Sequence, residues 1–120
     1  MTKLNIQKSD YISVNDYLDT LNKSLSNYPA RIIGEVTEVQ LYPGRSYLFF
    51  KIKDKDNPAL LTCIMWKREY ELSGVELEVG LEIIISGTPN IHKPSGRLSF
   101  QAQTIELVGE GALKKAYDEL

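Results

Sequence analysis

The chain has 120 residues, of which 42% are hydrophobic and 25% charged, a size and balance that fit one soluble domain with a single core. A net charge of -2 excludes a protein that coats nucleic acid through bulk charge. With Cys63 the only cysteine and His92 the only histidine, an intramolecular disulfide is excluded, a reducing cytoplasm is the natural compartment, and neither a metal nor another cofactor is expected.

The opening MTKLNIQKSD has no apolar signal core, and no run approaches the roughly 18–20 apolar residues of a membrane helix, so no membrane partner is expected. Residues 1–12 read as an extended lead-in. A helix follows, capped by Ser13 with Asp16 three residues on as a short capping-box acid. Val14, Tyr17, Leu18, Leu21, Leu25 and Tyr28 recur at spacings of three and four, giving a stripe that ends at Pro29 and is expected to cover one end of the core.

From Arg31 to Leu107 the period becomes two, with strands expected at about 31–41, 46–54, 60–66, 81–91 and 97–108. Turns are legible at Tyr42 to Ser46, Asp54 to Pro58 and His92 to Gly96, and Lys67 to Gly80 has room for one short helix. Gly34 stands in the long first strand where a barrel strand has to bend. Three strands, a helix and two more strands is the order of an OB-fold, a five-stranded Greek-key barrel, so the expected class is mainly β. After Gly109-Glu110-Gly111, the residues Ala112, Leu113, Ala116, Tyr117 and Leu120 fall at helical spacing, the expected start of a linker helix into something larger.

The second strand carries two kinds of side chain. Leu48, Phe50 and Ile52 form an apolar row, and Tyr47, Phe49, Lys51 and Lys53 form a second row of rings followed by cations. Successive strand residues point to opposite faces, so burying the first row turns the second outward, where rings and ammonium groups suit stacked bases and phosphates. In an OB-fold the outer face of strands two and three, flanked by the loops between strands one and two and strands four and five, is the usual ligand surface. Those loops supply Arg45 on one side and His92, Lys93 and Arg97 on the other.

If Leu61, Cys63 and Met65 face the core, Thr62, Ile64 and Trp66 face out, leaving Trp66 as a further stacking platform or an anchor for the helix beginning at Lys67. Cys63 then reads as a small buried apolar group. Charge is uneven: Arg45 to Arg68 holds six cations against two acids, whereas Glu69 to Glu82 holds five acids and no Lys or Arg. The expected nucleic-acid-binding set is Arg45, Tyr47, Phe49, Lys51, Lys53, Trp66, Lys67, Arg68, Lys93 and Arg97. Glu35, Asp54 and Asp56 are the acids from which metal-dependent hydrolysis would start, but the last two sit in a turn that favours acids anyway, and His92 suits a hairpin better than a general base. No catalytic residue is expected.

The ordered set YISV before a helix, GEV, SYLFFKIKD, LTCIMW, GVELEVG, PSGRLSFQAQTIEL and GEGALKKAYDEL resembles the N-terminal domain of the large subunit of bacterial exodeoxyribonuclease VII. The resemblance runs from about Tyr11 to Leu120 and departs from the family at Pro43-Gly44-Arg45-Ser46, where a Ser-Gly-His segment is common. It implies an OB-fold domain over 13–108 that grips single-stranded DNA, and a helix over 109–120 leading to a catalytic domain beyond this chain. It also implies a small helical partner subunit, a bacterial cytoplasmic setting, and a parent hydrolase that degrades single strands to short oligonucleotides, with no activity in this segment alone. Two other functions fit the same residues: a docking module that uses the apolar helix after Ala112, and a tRNA-binding barrel.

Overall fold

The computed structural model describes residues 10–109. Most of the lead-in and the helix expected after Gly109 lie outside the described residues. The elements run α1 (Val14–Leu25), β1 (Ala30–Gln40), β2 (Tyr47–Lys53), β3 (Leu60–Trp66), α2 (Lys67–Ser73), β4 (Glu82–His92) and β5 (Arg97–Leu107). The strands close into a barrel in the order β1-β2-β3-β5-β4. All neighbours are antiparallel except β3 and β5, which meet in a short parallel pairing, Cys63 with Phe100 and Ile64 with Gln101. This is the five-stranded OB barrel expected from the element order.

Closure depends on β1 serving two neighbours. Its first half, Ala30 to Glu35, pairs with β4, and its second half, Glu35 to Gln40, pairs with β2. The strand turns between them at a bulge centred on Thr37, where the register with β2 slips between Val36 and Glu38. Gly34, expected to be the bend, instead makes room: a Cβ there would lie 3.1 Å from Ile52 Cβ and from the Lys53 carbonyl oxygen, so glycine lets β2 approach. Gly87 does the same for β5 more stringently, since a Cβ would overlap the Gln101 carbonyl oxygen at 1.9 Å.

Alternation fills the interior. Val36, Leu48, Phe50, Ile52, Cys63, Met65, Ile83, Ile85, Phe100, Ala102 and Ile105 are buried, and Val75 and Leu77 close one end of the barrel after α2. α2 stops at Gly74, which takes a left-handed φ of 70° that suits glycine. The chain then folds back so that the Leu77 amide donates to the Tyr70 hydroxyl at 2.9 Å.

α1 departs from expectation twice. It ends at Leu25, four residues before Pro29, because Ser26 caps it and a further tight turn carries the chain through Tyr28, which is exposed. It also does not cover the core, since none of its residues is buried. Ser13 does cap it, accepting from the Asp16 amide at 3.0 Å. The helix lies against β4, where the Asn22 side chain accepts from the Ile91 amide at 2.7 Å and donates to the Ile91 carbonyl at 3.0 Å.

Candidate nucleic-acid interface

The two rows of β2 separate as their chemistry requires. Leu48, Phe50 and Ile52 are almost fully buried, while on the other face of the strand Tyr47, Phe49 and Lys51 are half-buried and Lys53 is exposed. Across β3 the same face continues through register, Tyr47 with Trp66, Phe49 with Ile64 and Lys51 with Thr62. Trp66 thus faces out, half exposed, and also stands immediately before the first turn of α2.

The rings pack edge to face, Tyr47 against Phe49 with centroids 5.4 Å apart and Tyr47 against Trp66 at 6.2 Å. Such pairs hold one another upright without one ring covering another's face in parallel. Together with β1 and the β4-β5 hairpin they bound a cleft of about 610 Å³. Of the ten residues expected from sequence, Arg45, Tyr47, Phe49, Lys51, Trp66 and Arg97 line it. Lys53, Lys67, Arg68 and Lys93 do not.

The flanking loops are held by different means. In the β1-β2 loop, Gly44 takes a φ of 78°, closing a turn in which the Arg45 amide donates to the Tyr42 carbonyl. Arg45 then reaches its neighbours: its Nη1 donates to the Tyr47 hydroxyl at 2.9 Å, and its guanidinium carbon lies 5.5 Å from the Tyr42 ring centre and 5.9 Å from that of Tyr47. The cation is oriented by rings and keeps most of its donors. On the opposite wall, His92 pairs with Arg97 at the base of the β4-β5 hairpin, and the His92 ring Nδ1 lies 2.9 Å from the Ser95 hydroxyl.

Three of the four expected lysines are compensated. Lys93 Nζ donates to Asp19 at 2.8 Å and to Asn15 at 2.9 Å, which ties it to α1 and away from the cleft. Lys51 lies 3.5 Å from Glu38, and Lys53 the same distance from Glu35. Among the described residues Arg45 and Arg97 have no such carboxylate partner.

Several cleft residues were not expected. Glu38 and Gln40 line it because the Thr37 bulge lets Val36 and Val39, three apart, both point inward, which turns Glu38 and Gln40 out beside Lys51 and Phe49. The Val-x-x-Val spacing inside a strand was the available signal. Ser99 and Gln101 continue the Arg97 side of β5, and simple alternation from Arg97 would have found them.

The acids considered for hydrolysis do not converge, and among the described residues no three His, Cys, Asp or Glu are grouped to hold a metal. Asp54 closes its own turn: hydrogen bonds from the Asp56 amide, the Asn57 side chain and the Asn57 amide hold its carboxyl below the usual range. Burial pushes the Cys63 thiol up to about 12, so it is a protonated apolar group rather than a nucleophile.

Comparison with known proteins agrees with the fold. The chain is 30% identical over 108 residues to the exodeoxyribonuclease 7 large subunit of Mycoplasma mycoides, covering 88% of this chain and 22% of that protein. It is 32% identical over 87 residues to the same subunit of Nautilia profundicola, covering 72% and 19%. The chain thus spans about a fifth of the length of these relatives. Among solved structures, the N-terminal domain of the PriB protein from Thermoanaerobacter tencongensis shares the fold with a TM-score of 0.57 at 23% identity, covering 70% of this chain and 99% of that one. Residues 12–106 match the family model described as an OB-fold nucleic acid binding domain, and the chain belongs to that family.

Proposed function

We propose that this domain binds single-stranded DNA and presents it to the nuclease part of an exodeoxyribonuclease VII large subunit. The observation that carries the proposal is the ring cluster of Tyr47, Phe49 and Trp66 set in a cleft between two arginines without acid partners among the described residues. Unpaired bases offer faces to such rings, each stack being worth about 1–3 kcal/mol, and phosphates meet the arginines. A duplex hides its base faces and has no comparable fit.

The rest of the parent protein follows the likeness to the exodeoxyribonuclease 7 large subunits. In this proposal residues 1–12 lead in, 13–108 form the binding domain and 109–120 begin the connection to a hydrolase domain, so the segment alone does not cut DNA. A small partner subunit and a cytoplasmic setting belong to the same proposal. Lys53, Lys67 and Arg68, outside the cleft, serve as secondary phosphate contacts along an emerging strand.

A docking role has one observation in its favour: Val14 and Tyr17 of α1 are exposed although they stand on its apolar stripe. The test is fluorescence anisotropy with a labelled thymidine oligomer, the matching uridine RNA and a duplex, each titrated across salt. Binding of the DNA single strand that falls steeply with salt, with the duplex weaker, is expected. Equal or tighter binding of the duplex, or no binding of DNA at low salt, overturns the proposal; preference for RNA moves it to an RNA-binding barrel.

A further inference from the structure

A groove built only to grip phosphate and stack bases has no use for a carboxylate in its wall, yet Glu38 lines this cleft. The bulge at Thr37 turns it out opposite Lys51, and its neighbour on the same face, Gln40, pairs with Phe49. The carboxylate is also held in place. The Tyr42 hydroxyl donates to Gln40 Oε1 at 3.1 Å, Gln40 Nε2 donates to Glu38 Oε2 at 3.2 Å, and Lys51 Nζ lies 3.5 Å from that same oxygen. Among the described residues Glu38 Oε1 accepts no hydrogen bond.

Along the cleft wall the protein therefore offers two acceptors, Oε1 and Oε2, followed by a donor, Lys51 Nζ. Phe49 and Lys51 are two positions apart on one face, roughly 6.6 Å along the strand, so a base stacked on Phe49 brings its edge to this set. Single-stranded bases expose their Watson–Crick edges. Guanine presents two donors and an acceptor in sequence, its N2 amine, N1–H and O6, which complements the three groups in order. Thymine, with an acceptor on each side of its N3–H, sets a carbonyl oxygen against a carboxylate oxygen. Cytosine and adenine each present a ring-nitrogen acceptor to the middle position.

We infer that Glu38 and Lys51 form a guanine-reading subsite beside Phe49, giving the domain a base preference superimposed on its backbone affinity. The inference rests on the single-strand binding proposed above. It is tested with the full chain and a thymidine decamer in which one central base is replaced in turn by guanine, hypoxanthine or cytosine. Hypoxanthine is guanine without the N2 amine. A single replacement avoids guanine-tract self-association.

The expected order is guanine over hypoxanthine over thymine and cytosine, with guanine favoured over thymine by roughly fivefold, the low end for base discrimination because the carboxylate is partly solvated. Glu38→Gln is expected to bring the guanine-to-thymine ratio near one while the thymidine decamer still binds, which shows the variant folded. A wild-type ratio near one overturns the inference and leaves single-strand binding standing. So does a Glu38→Gln variant that strengthens every oligomer equally, since Glu38 is then only a repulsive charge. If no oligomer binds, the single-strand proposal falls first and the subsite with it.

Discussion

The two rows of β2 share a backbone and differ in what they hold. Leu48, Phe50 and Ile52 are packed among residues of every other strand, whereas Tyr47, Phe49 and Lys51 line a cleft open to water. The inner row has no freedom, because each atom removed leaves a void in a closed barrel. The outer row tolerates truncation, because solvent fills what is lost. Stability and binding are therefore carried by alternate residues of one short strand, and single substitutions should separate them.

The largest effect is expected on the inner row. Phe50, fully buried, should lose about 3–5 kcal/mol of stability on change to alanine, a large share of the about 5–15 kcal/mol typical of a domain, as urea denaturation will read. Phe49→Ala, one residue away, should cost the fold only about 0.5–1.5 kcal/mol, the loss of its edge-to-face pair with Tyr47, and weaken oligonucleotide binding by about 1–3 kcal/mol. If Phe49→Ala unfolds the domain, the separation of the two rows is wrong.

A smaller contrast sharpens the outer face itself. Arg97 lines the cleft without a carboxylate partner among the described residues, and Lys93, four residues earlier, is bound to Asp19. Arg97→Ala should lower the slope of log affinity against log salt by about one, the loss of one phosphate contact. Lys93→Ala should change that slope little. Equal effects would show that the ion pair with α1 opens when DNA arrives.

A separate effect, confined to alkaline pH, belongs to the barrel interior. Burial lifts the Cys63 thiol from its ordinary value of 9.0 to about 12. A raised pKa stabilises the fold below the unfolded value and loses that contribution as pH climbs towards the folded one, so the part of the stability due to Cys63 should be constant below pH 9 and decline between about 9 and 12. Cys63→Ser or Cys63→Ala should flatten that decline, and alkylation of Cys63 at neutral pH should proceed only as fast as the domain opens.

Much of this was legible in the chain. Alternation in YLFFKIK and the apolar run LLTCIMW matched β2 and β3 almost to the residue, although only β2 showed from its sequence which side chains face the core. The ring cluster and the two arginines followed from it. Two features resisted. The bulge at Thr37 reverses alternation within one strand, so Glu38 and Gln40 were invisible to any rule of period two. The pairing of Lys93 with Asp19 joins residues 74 positions apart, and a lone lysine in a hairpin carries no mark of its partner. α1 misled for a related reason: its stripe has the spacing of a core helix, but the barrel closes without it, as β1 and β4 pair directly.

The contact between Asn22 and Ile91 bears on how the protein survives as a solute. Beyond Gly87, β4 has left β1 behind, and its outer margin runs bare for several residues, an invitation for another molecule's strand to add on. The backbone groups of alternate residues, Pro89 and Ile91, face that margin. Pro89 has no amide hydrogen to offer, and both polar groups of Ile91 are taken by one side-chain amide that imitates a peptide. A helix with no fully buried residue thereby acts as a guard against fibrous self-association, and its removal should be felt first in solubility.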